Sequence, residues 1–334
     1  MTGPVPPDPV PLLSLRGLSK TYLRRDGLLT RPRAVAAARD VTLDIARGEV
    51  LGIVGESGSG KSTVGRMAMR LLEPTAGAVH LDGADITHLS EQALRPLRHK
   101  MQMIFQDPSA SLNPRQSIRQ ILTTPLRLRG VAGADATQEM LETLALVGLG
   151  PDVLGRAPST FSGGQRQRLS IARALLMKPE LIVADEAVSA LDVCVQAQIV
   201  NLFRHLRDRF NLSILFIGHD LAVVGVISDR IAVMYRGTLV EIAPTEQLFR
   251  RPRHPYTARL LSAEPRRGVL SAPAPPATPA GQHAPDGCVF SARCPHAADA
   301  CRTRQPALAP VAPGHRAACI RTDLDLEGIL PHSN

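Results

Sequence analysis

Short, almost uninterrupted apolar segments alternate with longer segments of helical periodicity over residues 12–261. Apolar runs at Val50–Val54, Leu181–Ala184, Ser213–Ile217 and Ile231–Tyr235 predict strands that are buried on both faces. The segments between them are long enough for helices. This alternation predicts an α/β layered domain.

The two ends of the chain differ from this pattern. Residues 1–11 are rich in proline and are expected to form a flexible lead-in, and residues 263–286 repeat alanine and proline, which is typical of a semi-rigid linker. The predicted organisation is therefore a main domain over 12–262, the linker, a small cysteine-bearing module over 287–320, and a tail over 321–334.

Composition narrows the class of protein. The chain has 334 residues, of which 44% are hydrophobic and 21% charged, which is typical of a soluble globular protein and excludes collagen or a wholly disordered chain. No apolar run is long enough to span a membrane, and the start, MTGPVPPDPV, lacks a secretory pattern, so we expect the cytoplasm. The net charge of +9 permits an anionic partner, but the basic residues are spread along the chain, which favours a solvated surface.

The clearest motif is GESGSGKS at residues 55–62, which fits the phosphate-binding pattern G-x-x-x-x-G-K-[ST]. The strand Val50–Val54 precedes it and a helical pattern, Thr63–Leu72, follows it. Glycines let the backbone N–H groups face phosphates, Lys61 should reach the β- and γ-phosphates, and Ser62 should ligate Mg²⁺. The candidate nucleotide-binding residues here are Gly55, Glu56, Ser57, Gly58, Ser59, Gly60, Lys61, Ser62 and Thr63.

A second acidic motif follows an apolar strand, in LIVADE at residues 181–186. A strand that ends in a carboxylate is typical of the Mg²⁺ ligand in P-loop ATPases, and this role is assigned to Asp185. Glu186 comes next and is the candidate general base that polarises the attacking water.

Further motifs resemble those of the ABC ATPases and follow in the family's order. FSGGQRQR at residues 161–168 is similar to the signature sequence, and Gln106 and the segment Ser189–Asp192 resemble the Q-loop and the D-loop. His219 resembles the switch histidine, and Tyr22 resembles the aromatic residue that stacks on adenine. The resemblance implies a P-loop NTPase fold of the ABC type with a helical subdomain at about 107–165.

The resemblance also implies a mechanism. Two such domains pack head to tail, so that the signature residues Ser162, Gly163, Gly164 and Gln165 contact the nucleotide of the partner domain. His219 would contact the γ-phosphate and orient the water, and Lys61 would assist. The implied Mg²⁺ ligands are Ser62, Gln106 and Asp185.

Other segments narrow the subfamily. DEAVSALDVCVQAQIVNLF, and HPYTARLLSAEP at His254–Pro265, resemble the ATPases of oligopeptide and dipeptide importers. The insert Arg24–Ala37 resembles the second, F-type ATPase of those importers. This resemblance implies a peripheral subunit at the cytoplasmic face of the inner membrane, with a sister ATPase, two permeases and an extracytoplasmic solute-binding protein. A nickel or other solute importer, and a soluble ABC ATPase acting on nucleic acid or ribosomes, stay open as alternatives.

The last feature is a group of four cysteines, with the spacing C-x₅-C-x₆-C-x₁₇-C. Four thiolates suit tetrahedral zinc or an iron–sulfur cluster, and the resemblance to the importer module favours [4Fe–4S]. A set of unrelated reduced thiols is the alternative. Cys194 is expected to be a small buried residue, and His296 and His315 are expected at the surface. The predicted ligands are Cys288, Cys294, Cys301 and Cys319.

Overall fold

The computed structural model describes residues 10–25, 33–263 and 286–326. The expected lead-in, linker and tail lie largely outside the described residues, as do residues 26–32 of the insert. Two compact units are built from interleaved parts of the chain. The first unit holds the residues up to Leu18, Thr42–Glu49 and Gly65–Leu215, and the second holds Ser19–Val41, Val50–Val64 and the residues from Phe216 onward.

Strands and helices alternate, which confirms the predicted α/β class. The strands are β1 (Leu13–Arg24), β2 (Arg33–Ile45), β3 (Val50–Val54), β4 (Ala76–Leu81), β5 (Ala84–Asp85), β6 (Met101–Ile104), β7 (Leu181–Asp185), β8 (Ser213–Ile217), β9 (Arg230–Tyr235), β10 (Thr238–Pro244), β11 (Ala309–Ala312) and β12 (His315–Ala317). The helices are α1 (Lys61–Ala68), α2 (Glu91–Leu94), α3 (Pro108–Ser111), α4 (Ile118–Leu128), α5 (Gly133–Leu146), α6 (Gly163–Leu175), α7 (Val193–Phe210), α8 (Leu221–Ile227), α9 (Thr245–Arg250), α10 (Pro255–Ala263) and α11 (Asp299–Thr303). Short 3-10 turns lie at Arg95–Leu97, Pro151–Gly155, Pro158–Thr160 and Ser291–Arg293.

In the first unit, β7 lies between β6 and β8, and β6 and β7 run parallel with Met101 opposite Leu181. Strand β7 is buried along its whole length, as its continuous apolar sequence predicts. Helices α4 and α6 each begin with a capping box, in which the side chains of Ser117 and Ser162 accept a hydrogen bond from the third residue of the helix. These caps fix where each helix begins.

In the second unit, a sheet has the strand order β11-β12-β10-β9-β3. Strands β3 and β9 are parallel, whereas β9, β10, β12 and β11 pair antiparallel. The C-terminal residues thus add two strands to the sheet that contains β3. The carboxyl end of β3 leads into the phosphate-loop motif, so this sheet positions the candidate site.

Within the described part of the chain, no helix combines the length and apolar character needed to cross a membrane.

Candidate nucleotide site

The phosphate-loop motif connects the buried strand β3 to helix α1 in the second unit. Lys61 is the first residue of α1 and only 3% exposed, and its Nζ donates hydrogen bonds to the carbonyl oxygens of Gly55 (2.9 Å) and Glu56 (3.1 Å). The loop therefore curls around the lysine. The cation and the first backbone N–H groups of a helix are brought together, which is the arrangement that binds phosphate.

Glycines are required where this loop touches its surroundings. A Cβ on Gly60, whose φ is +101°, would lie 2.0 Å from the carbonyl oxygen of Ala37, and one on Gly55 would lie 2.2 Å from that of Met234. The hydroxyl of Ser59 is buried and has no hydrogen-bond partner among the described residues. A close-fitting loop with an unsatisfied buried donor fits an anionic ligand.

Two other predicted residues belong to the same unit. His219 follows β8 and is exposed, and the neighbouring Gly218 N–H donates to the carbonyl of Ile53 in β3 at 3.0 Å. This hydrogen bond holds the residue before His219 against the carboxyl end of β3. Tyr22, in β1, is 43% exposed, which leaves its ring available for stacking.

The first unit brings together another set of predicted residues. Asp185 ends β7 and is 3% exposed, and Glu186 follows it with a left-handed φ of +49°. A non-glycine residue in this region stores strain, which is typical of functional positions. The Ser189 hydroxyl donates to the carbonyl of Glu186 at 2.9 Å, and the amide of Gln106 donates to the Ser189 oxygen at 3.5 Å.

The signature residues form the beginning of helix α6, where Ser162 and Gln165 are exposed. Ser162 accepts a hydrogen bond from the N–H of Gln165 at 3.3 Å, and the Gln165 side chain accepts one from the N–H of Ser162 at 3.0 Å. Gly164 is buried against α7, where a Cβ would lie 2.5 Å from a methyl group of Val195. An open helix N-terminus on a rigid element is suited to contact an anion.

The cysteine site is not supported. In the described residues, no group of three or more His, Cys, Asp or Glu side chains is arranged to hold a metal ion. Burial raises the pKa of the Cys288 and Cys294 thiols, and it raises that of Cys319 to about 11. Electrostatic repulsion from neighbouring cysteines of the predicted set adds to these shifts. Neither the [4Fe–4S] nor the zinc prediction is confirmed.

Two smaller predictions were wrong. Cys194 is exposed in the first turn of α7 rather than buried, because its neighbour Asp192 caps the helix at the surface. His315 is only 2% exposed, and its Nε2 lies 2.7 Å from the carboxylate of Glu241 in β10. A buried carboxylate needs such a partner.

Sequence reasoning missed a contact between the phosphate loop and the C-terminal residues. The guanidinium of Arg293 donates to the Glu56 carboxylate at 3.0 Å, and the hydroxyl of Tyr256 accepts from the Glu56 N–H at 3.0 Å. The ion pair with Glu56 raises the pKa of Arg293, and burial raises that of the Tyr256 hydroxyl. The only local signal was the HPYT segment, since Glu56 and Arg293 are 237 residues apart.

Comparison with known proteins agrees with this geometry. Residues 38–189 match the ABC transporter family, and residues 240–301 match the oligopeptide/dipeptide transporter C-terminal region. A putative peptide import ATP-binding protein of Brucella ovis is 51% identical over 94% of this chain and 99% of its own length. The oligopeptide transport ATP-binding protein AppF of Bacillus subtilis is 47% identical over 92% of this chain and 96% of its own length.

Solved structures give the same fold. A dimeric ATP-binding cassette in a post-hydrolysis state with ADP and Pi matches with a TM-score of 0.63 and 28% identity, over 70% of this chain and 98% of its own. Part of the cbiONQ transporter of Clostridium perfringens, cbiO1, matches with a TM-score of 0.62 over 72% of this chain and 90% of its own. The chain is an ATPase of the ABC transporter family, and its C-terminal region is of the oligopeptide/dipeptide transporter type.

Proposed function

We propose that this chain is an ATP-hydrolysing motor subunit of an ABC importer for di- or oligopeptides. The observation that carries the proposal is the coexistence of the complete phosphate loop around Lys61 with the oligopeptide/dipeptide C-terminal region at residues 240–301. The curated relatives that match nearly the full length of this chain are named as peptide import proteins. The subunit would act at the cytoplasmic face of the cell membrane.

The chemistry of the proposed site follows from its residue types. The phosphate loop and Lys61 bind the β- and γ-phosphates, and Tyr22 stacks on the base. Ser62, Gln106 and Asp185 would supply oxygen ligands of the kind that Mg²⁺ prefers, and a bound Mg²⁺ would offset negative charge on the phosphates.

Glu186 and His219 carry the hydrolytic step in this proposal. The carboxylate of Glu186 takes a proton from the attacking water, and the imidazole of His219 contacts the γ-phosphate and holds the water in line. Ser162, Gly163, Gly164 and Gln165 would complete the site of a second ATPase chain, because they lie at an open helix N-terminus. Binding of ATP then favours the closed pair and hydrolysis favours the open one.

The proposed partners are a sister ATPase, two membrane permeases and an extracytoplasmic solute-binding protein. A nickel or other solute remains the second candidate cargo, because cargo is selected outside this chain. The main domain over residues 12–262 would be the motor, with the helical subdomain at 107–165 contacting the permeases.

The test uses the tagged full chain carrying Glu186→Gln in its native host. This variant is expected to bind ATP, to lose turnover by about 100-fold or more, and to hold the assembled complex together. Membranes are solubilised with ATP and Mg²⁺, and co-purifying proteins are identified. Lys61→Ala, which removes the phosphate-binding cation, is the matched control that should not trap the complex.

Recovery of two multispan permeases and a second ABC ATPase supports the proposal, and the ligand of the attached binding protein identifies the cargo. Recovery of ribosomes or DNA from the soluble fraction would refute import. Near-normal turnover by Glu186→Gln would refute the assignment of Glu186.

A further inference from the structure

Glu56, the second residue of the phosphate loop, is held by two side chains from the C-terminal part of the chain. Its carboxylate accepts a hydrogen bond from Arg293 at 3.0 Å, and its N–H donates to the hydroxyl of Tyr256 at 3.0 Å. Arg293 also contacts the hydroxyl of Tyr235 at 3.3 Å. All four residues belong to the second unit. Glu56, near one end of the loop, is thus held through both its backbone and its side chain.

The side chains that make these two contacts are anchored in a packed aromatic cluster. Tyr235, Tyr256 and Phe290 are at most 2% exposed, and their ring centroids lie 4.6 to 5.4 Å apart. Arg293 ends the short 3-10 turn that follows Phe290, so the packing of that ring sets where the guanidinium lies. Aromatic clusters of this kind lose little freedom when a ligand binds, which makes them good supports for a binding loop.

The ion pair has an electrostatic consequence for an anionic ligand. The Glu56 side chain is 43% exposed, and an unpaired carboxylate on a phosphate loop repels a triphosphate. Arg293 is 18% exposed and neutralises that charge. An ion pair with one partly exposed partner contributes little to the stability of the fold, whereas its charge balance acts on any anion that approaches the loop.

We propose that Arg293 and Tyr256 are positioning residues of the nucleotide site, and that the C-terminal region thereby sets the affinity of its own phosphate loop for ATP. The inference rests on the proposed function, because it assumes that the loop binds ATP. Arg293 acts by cancelling the charge of Glu56, and Tyr256 acts by satisfying the Glu56 N–H so that the loop keeps one shape.

The test measures binding of a fluorescent ATP analogue, mant-ATP, with Mg²⁺ to the full chain. Arg293→Ala is expected to weaken binding by about three- to tenfold at low salt, and by less at 0.5 M salt, because salt screens the exposed carboxylate. Arg293→Lys keeps the positive charge and should bind close to wild type. Arg302→Ala, an exposed arginine of the same region, is the matched control and should bind like wild type.

The decisive variant is the double change Glu56→Gln with Arg293→Ala. If Arg293 acts by neutralising the charge of Glu56, removal of the Glu56 carboxylate restores most of the ATP affinity that is lost in Arg293→Ala. Unfolding temperatures of all variants are compared, since a purely structural role would lower stability without a salt-dependent change in affinity.

Three outcomes would overturn the inference: unchanged affinity in Arg293→Ala, a loss that the double variant does not recover, or a loss that does not depend on salt. A wild-type chain that fails to bind mant-ATP would instead refute the proposed nucleotide site itself. The two failures are therefore distinguishable.

Discussion

His254 is a buried histidine whose hydrogen bonds require it to stay neutral. Its ring Nδ1 accepts from the backbone N–H of Tyr256 at 3.1 Å, and the backbone N–H of His254 donates to the Glu241 carboxylate at 3.0 Å. The side chain is 1% exposed, and burial lowers its pKa to about 3. A protonated ring could not accept the hydrogen bond from Tyr256, so acid must destabilise this part of the fold.

The sign of the pH effect follows from linkage. The unfolded chain binds a proton at His254 below pH 6.5 whereas the folded chain does not, so the stability from this group is complete above pH 6.5 and is lost as the pH falls towards 3. Between pH 6.5 and pH 5 the loss reaches about 2 kcal/mol. Urea unfolding at the two pH values measures it.

The control for this prediction is His254→Asn. An asparagine oxygen accepts from the N–H two residues on, as Nδ1 does, but it does not titrate in this range. The variant should therefore show a smaller loss between pH 6.5 and pH 5 than wild type. An equal loss in both proteins would assign the acid sensitivity to other groups.

Residues that belong to short sequence motifs could be assigned to strand and helix ends from the sequence. Lys61 begins the helix that follows the buried strand β3, and Asp185 ends the buried strand β7, as the local sequence pattern indicates. Arg293 and His315 were missed or misplaced, since their partners Glu56 and Glu241 are 237 and 74 residues away. Nothing in a single sequence joins positions at that separation.

Among the secondary-structure elements, helices α4 and α6 begin with the same capping box but have different proposed roles. Ser117 begins α4 and Ser162 begins α6, and in each case a glutamine three residues later completes the box. Removal of either hydroxyl should cost about 1 kcal/mol of stability, because one N–H of the helix loses its acceptor. Stability alone therefore does not distinguish the two serines.

Activity should distinguish them. Ser162→Ala is expected to lower ATPase activity of the assembled transporter by about tenfold or more, because the proposed contact with the partner's nucleotide is lost. Ser117→Ala should keep its activity and serves as the matched control. Equal activity of the two variants would contradict the proposed role of α6, whatever their unfolding energies.

Strands were predictable to within a residue where both faces are buried. Strands β3 and β8 have the predicted bounds, and β7 and β9 are each one residue longer. The short strands β11 and β12 were not predicted, because their residues are partly exposed and lack a continuous apolar run. They form by pairing with the edge of β10, which is a tertiary effect.

At the scale of the whole molecule, the C-terminal residues complete the sheet that carries the phosphate loop. They place His315 beside the buried carboxylate of Glu241 and Phe290 against Tyr235 and Tyr256. A chain that ends after Ala263 leaves that carboxylate without its hydrogen bond to His315 and uncovers two aromatic rings. A buried polar group that loses a hydrogen-bond partner costs about 1–3 kcal/mol, and the uncovered rings add to this.

The shortened chain is therefore expected to unfold at a lower urea concentration than the full chain, or to aggregate through the exposed edge of β10. Tyrosine fluorescence is a suitable probe, because the protein has no tryptophan and two of its three tyrosines lie in this cluster. In the full chain, the tyrosine signal and far-ultraviolet circular dichroism should follow one transition. An early change in the tyrosine signal that precedes the circular-dichroism transition would mean that the C-terminal residues unfold separately from the sheet. Arg293 would then be unable to hold Glu56 under conditions where the rest of the site is intact, so this one measurement also bears on how the phosphate loop is supported.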